Sequence, residues 1–121
     1  MAEIRGRAYP KGLTLCPEAP AGWAEVVYAV PPDRANATFR AEIGVTDSSL
    51  GNGSVTFSVR RAVAEAGPWE RIYASPSIRG TGSPVEIEVP LQGAAFLLLR
   101  TTDDGDGINS DHAFWGDARL R

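Results

Sequence analysis

The residues most able to do chemistry lie in one stretch near the C-terminal end, DDGDGINSDHAFWGD at residues 103–117. The stretch combines several aspartates with Asn109, Trp115 and the single histidine of the chain, His112. These residue types suit a cation site, an acid–base or nucleophilic centre, or a surface that recognises sugar hydroxyl groups. A fourth interpretation is structural, because a polar loop can simply close a β-fold.

A cation site would use the oxygen atoms of this stretch. Asp104, Asp106, Asn109 and Asp111 carry hard oxygen donors of the kind that calcium prefers. The spacing Asp104-x-Asp106-Gly107 resembles the start of a calcium loop, although the bidentate glutamate of an EF-hand is missing. Alternatively, these side chains bond to the backbone N–H groups of the turns. A zinc site is disfavoured, because one histidine and one cysteine cannot supply three or four nitrogen and sulfur ligands.

Catalysis by this stretch is disfavoured. Pairs of aspartates could serve a glycosidase, but such an enzyme needs a deep cleft, which a sandwich of this size seldom forms. Adjacent residues of an extended chain point to opposite faces, so Ser110 and Asp111 could not both address His112. The chain also lacks the Gly-x-Ser-x-Gly elbow of a serine hydrolase. We therefore expect a protein that is not an enzyme.

Sugar recognition fits the same residues better. A pyranose presents fixed hydroxyl groups and one apolar face, so its site needs directional polar groups and an aromatic platform. Asn109, Asp111 and His112 could supply the polar groups, and Trp115 could supply the platform. The structural alternatives remain open, since Trp115 could fill the core and His112 could bond to the loop backbone.

Composition excludes several other classes of function. The net charge is −3, and nothing in the chain forms the basic stripe of a nucleic-acid-binding protein. Apolar runs stay well short of the ~20 residues that span a bilayer. Cys16 stands alone, so an intrachain disulfide is impossible. The first residues lack the apolar segment of a signal peptide.

The elements that must position these residues are short strands. Alternation with period two is clearest at residues 37–46, where Phe39, Ala41, Ile43 and Val45 share one face. Glycine and proline separate the segments. Seven segments rich in Val, Ile, Phe and Thr are predicted to be strands: 23–30, 37–46, 55–63, 69–74, 85–89, 96–101 and 113–121. They predict an all-β, antiparallel β-sandwich that forms a single domain over residues 1–121.

Four blocks of sequence occur in an order found in a known family. They are YPKGL at 9–13 with EVVY at 25–28, FRAEIGVTD at 39–47 with GSVTFSV at 53–59, IYASP at 72–76 with VEI at 85–87, and DGINSDHA at 106–113 with WGDA at 115–118. The chain resembles the NPCBM family of carbohydrate-binding modules, which is related to the family-51 carbohydrate-binding modules. The last block is the most specific part of the resemblance.

The resemblance implies a β-sandwich of jelly-roll type that binds a glycan, with galactose as the leading sugar, beside a glycoside hydrolase. It also implies an extracellular location and a structural calcium. His112 and Asn109 are the first choices for sugar contact, and Asp106 and Asp111 would organise the loop. As in many jelly-roll modules, a carboxylate on an early strand, Glu25, and one on the last strand, Asp117, could hold the ion together.

A protein-interaction or structural module on the same fold is the alternative function. The chain has Cys16 where the family has histidine, and Phe114 where the family usually has aspartate. Both changes favour this alternative, because the histidine and the aspartate that the family has at these positions could contact sugar or metal. An open pocket at His112 would indicate sugar binding, whereas a site filled by Phe114 or Leu15 beside an exposed apolar patch would indicate an interface.

Overall fold

The structure is a computed structural model that describes residues 2–4, 7–9, 12–14, 23–45, 54–79, 83–103 and 113–121. Nearly all of its regular structure is antiparallel strand, and a single turn of 3-10 helix, Pro32–Arg34, stands in the described ranges. The strands are β1 (Ala2–Ile4), β2 (Arg7–Tyr9), β3 (Gly12–Thr14), β4 (Trp23–Ala29), β5 (Thr38–Val45), β6 (Ser54–Ala62), β7 (Glu70–Ala74), β8 (Ile78–Arg79), β9 (Val85–Pro90), β10 (Phe96–Asp103) and β11 (Ala113–Leu120).

The strands build two sheets that face each other and one small ribbon. The first sheet has the order β4-β10-β6-β7, and β8 pairs with β6 to complete it. The second sheet has the order β3-β11-β5-β9, and β1 pairs with β2 in the ribbon. Successive strands from β3 to β6, and again from β8 to β11, alternate between the two sheets. This arrangement confirms the predicted antiparallel sandwich of jelly-roll type.

The core lies between the two sheets and follows the predicted alternation. Phe39, Ala41, Ile43 and Val45 of β5 are all buried, as the sequence predicts. The inward residues of β6 and β10 meet them from the other sheet. Burial of these apolar surfaces supplies the main driving force for the fold.

All seven predicted strands are present, with ends that differ from the prediction by at most two residues. Four strands were not predicted, namely β1, β2, β3 and β8. Each has two or three residues, which is too short for a period-two pattern to show. In the part of the chain that the structure describes, no helix has the length and apolarity needed to cross a membrane.

Candidate functional site

The strand register places both ends of the predicted loop at the same end of the sandwich. Asp103, the last residue of β10, pairs with Val55 near the start of β6. Ala113, the first residue of β11, pairs with Val45 at the end of β5. We call this the loop end, defined by Asp103, Ala113 and their strand partners. The segment between Asp103 and Ala113 therefore leaves one sheet and enters the other at this end.

Other connections begin at the loop end as well. Trp23 opens β4 opposite Thr102, and Thr14 closes β3 opposite Phe114. Arg79 of β8 pairs with Ser54, the first residue of β6. Ends of strands from both sheets thus gather around the attachment points of the predicted loop.

Five predicted site residues lie outside the described residues: Asp104, Asp106, Asn109, Asp111 and His112. Their roles in sugar or calcium binding stay predictions. What the structure describes is the frame to which they attach, together with Glu25, Trp115 and Asp117.

Trp115 is a core residue. Its side chain is 0 % exposed, and its ring packs edge to face against Phe57 and Phe39, with centroids 5.1 and 6.0 Å away. A ring with no exposed face cannot stack on a sugar. The platform role assigned to Trp115 from the sequence is therefore wrong, and the alternative interpretation as core filler applies.

Glu25 and Asp117 each have an arginine partner in their own sheet. The Glu25 carboxylate accepts bonds from Nε and Nη2 of Arg100 at 2.8 and 2.7 Å. The Asp117 carboxylate lies 3.0 Å from Nη1 of Arg119. Across the described ranges, no cluster of three or more His, Cys, Asp or Glu side chains could hold a metal. The calcium site predicted at Glu25 and Asp117 stays a prediction.

Trp23 is the aromatic residue that the sequence analysis did not select. It is 40 % exposed at the loop end, and the Arg100 guanidinium lies 4.9 Å from its ring centroid. This cation–π contact, supported by the Glu25–Arg100 pair, holds the ring in place. The signal for its exposure was its position on the strand. Trp23 and Glu25 are two residues apart and therefore share a face of β4, whereas Val26 lies on the other face and packs on the core.

A polar pocket lies beside Trp23 on the outer face of the first sheet. Its volume is about 250 Å³. The hydroxyl groups of Thr56 and Thr102 are hydrogen-bonded to each other at its rim. The lining residues are Thr56, Phe57, Ser58, Arg60, Arg71, Ala74, Ser75, Arg100 and Thr102. The pocket thus offers hydroxyl and guanidinium donors next to an exposed indole.

Charge is concentrated in this pocket. Burial lowers the pKa of the Arg60 guanidinium below its ordinary value, and the positive charges of Arg100 and Arg71 lower that pKa further. The Glu25 carboxylate acts in the opposite direction. Arg60 remains protonated at neutral pH, so the pocket keeps its positive charge.

Phe114 and an apolar groove bear on the alternative function. Phe114 is 4 % exposed, and its ring packs on Gly12 of β3. A separate groove of about 300 Å³ opens between the sheets beside Tyr28, Leu97 and Leu120. Such a groove is the apolar feature that an interaction module would need.

Sequence comparison identifies the class of protein to which the chain belongs. Residues 2–121 match the NPCBM/NEW2 domain family. Because the match spans nearly the whole chain, the chain is a member of this family of carbohydrate-binding modules.

Two solved structures from Clostridium perfringens resemble the chain closely. The CBM51 of GH95, solved in complex with methyl-galactose, is 26 % identical and has a TM-score of 0.78, with 99 % of this chain and 78 % of that chain covered. The M60 catalytic domain with the CBM51-1 and CBM51-2 domains of ZmpB is 32 % identical, with a TM-score of 0.75. That match covers 99 % of this chain and 12 % of the ZmpB chain.

A curated relative from Renibacterium salmoninarum carries the name "Putative endo-alpha-N-acetylgalactosaminidase". It is 28 % identical over 118 residues, which is 98 % of this chain and 7 % of that protein. The chain therefore corresponds to a small part of this relative.

Proposed function

We propose that the chain is a non-catalytic carbohydrate-binding module that recognises a terminal sugar of a glycan at the loop end. The observation that carries the proposal is an exposed, anchored Trp23 beside the strand ends to which the polar segment 104–112 attaches. Membership of the NPCBM/NEW2 family supports the class of ligand. The methyl-galactose complex of a similar module supports galactose as the first sugar to test.

The division of roles follows from the chemistry of a pyranose. Trp23 would stack on the apolar face of the sugar, which is the role that the buried Trp115 cannot fill. Asn109, Asp111 and His112 would bond to its hydroxyl groups. A shallow site on a sandwich buries little of one sugar, so binding is expected to be weak.

Calcium and the associated enzyme belong to the same proposal. Asp104, Asp106, Glu25 and Asp117 stay the candidate ligands of a structural calcium, and Glu25 and Asp117 also contact arginines of their own sheets. The relative named as a hydrolase, of which this chain matches a small part, supports a role beside a glycoside hydrolase. The module would then hold such an enzyme near its glycan.

An NMR titration with methyl-galactoside tests the proposal. We expect shifted amide signals at Trp23, Thr102 and Ala113, and unshifted signals at Asn36 and Gly93, which lie at the opposite end of the sandwich. Trp23→Ala should weaken binding about tenfold or more, which corresponds to the loss of one aromatic contact.

Tyr28→Ala is the matched control. Tyr28 lies on the same strand and is 44 % exposed, but it stands five residues further from the loop end. It should bind methyl-galactoside as the unmodified chain does. Equal losses in the two variants, or signal changes confined to the apolar groove beside Tyr28, would refute the loop-end site and favour the interaction module.

A further inference from the structure

Three arginines converge on the outer face of the first sheet. Arg60 of β6 and Arg71 of β7 are direct partners across the strand pair. Arg100 of β10 pairs with Ser58 of β6, which puts it diagonally next to Arg60. Partners across an antiparallel pair point to the same face, so like charges opposite each other are destabilising.

A register shift between β6 and β7 creates this arrangement. Val59 pairs with Tyr73, but the next residue, Arg60, pairs with Arg71, so that Ile72 has no partner in the ladder. An unshifted register would place Arg71 opposite Arg61, on the side of the sheet that faces the core. Bulges re-aim side chains in this way and are over-represented at sheet edges, where β7 lies, and next to active sites. Here the shift turns Arg71 outward while Ile72 packs on the core.

The positive charge of this cluster is only partly balanced. Glu25 is engaged by Arg100 through two bonds, and neither Arg60 nor Arg71 forms an ion pair with a described residue. By contrast, Arg40 pairs with Glu88, Arg61 with Glu70 and Arg119 with Asp117. The fold therefore places Arg60 and Arg71, which have no ion-pair partner among the described residues, next to each other and near Arg100. These positive charges repel each other, and a bound anion would relieve the repulsion.

We propose that this arginine pocket, formed by Arg60, Arg71 and Arg100, binds an oxyanion, carboxylate or sulfate, carried by an acidic glycan. The guanidinium groups of Arg60 and Arg71 match both anions through paired N–H donors. Arg100 adds positive charge, because its Nε and Nη2 are bound to Glu25. The Ser58 side chain also lines the pocket, and Trp23 lies beside Arg100, where its ring can contact the sugar ring. The chain's net charge of −3 disfavours a nucleic-acid polyanion.

Only the nature of the carrier rests on the proposed function, because the anion site itself is defined by the arginines. The site would make the module selective for a sulfated or carboxylated sugar over its neutral counterpart. A sulfate group and a carboxylate group can be distinguished as the bound anion by comparing glycans that carry one or the other on the same galactose.

The test begins with inorganic sulfate as the probe, added to the whole chain and followed by NMR of the arginine Nε–H groups. We expect saturable shifts at Arg60, Arg71 and Arg100. Arg60→Gln and Arg71→Gln should each weaken sulfate binding about tenfold, as expected for the loss of a charge-assisted contact. Arg34→Gln, which removes the same charge from an exposed turn at the opposite end, should change nothing. The amide spectrum of each variant verifies its fold.

The second arm compares a neutral galactoside with its 3-sulfated and 3-sialylated forms. We expect about tenfold tighter binding for at least one acidic form, lost in Arg71→Gln, while the neutral galactoside is unaffected. Sulfate shifts that do not saturate, or that persist equally in Arg60→Gln and Arg71→Gln, would overturn the site.

The outcomes separate this inference from the proposed function. If the chain binds the neutral galactoside and shows no sulfate response, the carbohydrate-binding proposal stands and the anion site in the arginine pocket is refuted. A sulfate response without binding of any sugar would keep the anion site and overturn its assignment to a glycan. An equal response to a single-stranded oligonucleotide would assign the pocket to phosphates instead and overturn the same assignment.

Discussion

Two tryptophans of this chain occupy opposite environments, and each environment predicts its role. Trp115 is fully buried between Phe57 and Phe39, whereas Trp23 is exposed on a strand end. Deleting a buried aromatic ring removes its transfer free energy and leaves a cavity. Stability should therefore depend on Trp115, and ligand binding on Trp23.

Replacement of Trp115 by alanine tests this separation. We expect the free energy of unfolding to fall by about 3–5 kcal/mol, as for other deletions of a large buried ring. Urea denaturation followed by circular dichroism measures the loss. Trp69→Ala is the control, because Trp69 is only partly buried, and its loss should be smaller. Equal losses at the two positions would contradict the core role of Trp115.

Tyr73 gives a prediction of pH dependence. Burial raises the pKa of its hydroxyl above the ordinary value near 10. The unfolded chain then loses this proton at lower pH than the folded chain does, so stability should fall as the pH rises from about 10 through the folded-state pKa. Absorbance of tyrosinate should contain a late-titrating component that Tyr73→Phe removes. If the component that Tyr73→Phe removes titrates at or below pH 10, the result would contradict a buried Tyr73 hydroxyl.

At the scale of elements, β3 depends on one close approach. The ring of Phe114 on β11 packs where Gly12 has no side chain, and a Cβ atom there would lie 2.7 Å from the Trp115 carbonyl oxygen and 2.9 Å from Phe114 Cε2. Gly12→Ala should therefore reduce the free energy of unfolding by about 1–3 kcal/mol through overpacking. Denaturation curves of the variant measure the change.

Measuring Gly12→Ala also in a Phe114→Ala variant tests whether the Phe114 ring causes the destabilisation. Phe114 supplies two of the three nearest atoms to the added Cβ. The destabilisation caused by Gly12→Ala should therefore be smaller when residue 114 is already alanine. The same loss in both backgrounds would show that Phe114 does not determine the need for glycine.

The strands of the two sheets could be predicted to different extents. A strand buried on one face, such as β5, can be recognised in the sequence by alternation, because Phe39, Ala41 and Ile43 face the core while Arg40 and Glu42 do not. β3 and β8 have three and two residues, and they are defined by the partner strands with which they pair. Pairing over long sequence separations leaves no local pattern to detect.

The two tryptophans show why the site was harder to predict than the fold. Phe114 and Trp115 are adjacent and both buried, so both faces of β11 are apolar at this point. Alternation of apolar and polar residues therefore cannot show which face of β11 is exposed to solvent. The segment WAEVVYA of β4 is ambiguous for the same reason. The register shift that turns Arg71 toward Arg60 is likewise a property of two strands together.

At the scale of the whole molecule, the two sheets bring separate features to one end. The attachment points of segment 104–112, the exposed Trp23 and the polar outer face with its arginine pocket are contiguous, although they come from distant parts of the sequence. Jelly-roll alternation of strands between the sheets produces this gathering, since each crossing leaves a connection at an end of the sandwich. A glycan could therefore contact the loop end and the sheet face together.

The measurement that tests the central claim most directly is a glycan-array screen of the purified chain and of His112→Ala, each with calcium and with a chelator. We predict binding to terminal galactosides by the unmodified chain, loss of this binding in His112→Ala, and weaker binding with the chelator if calcium organises the loop. A folded chain that binds no glycan would contradict the account. Binding that persists in His112→Ala would move the site away from segment 104–112.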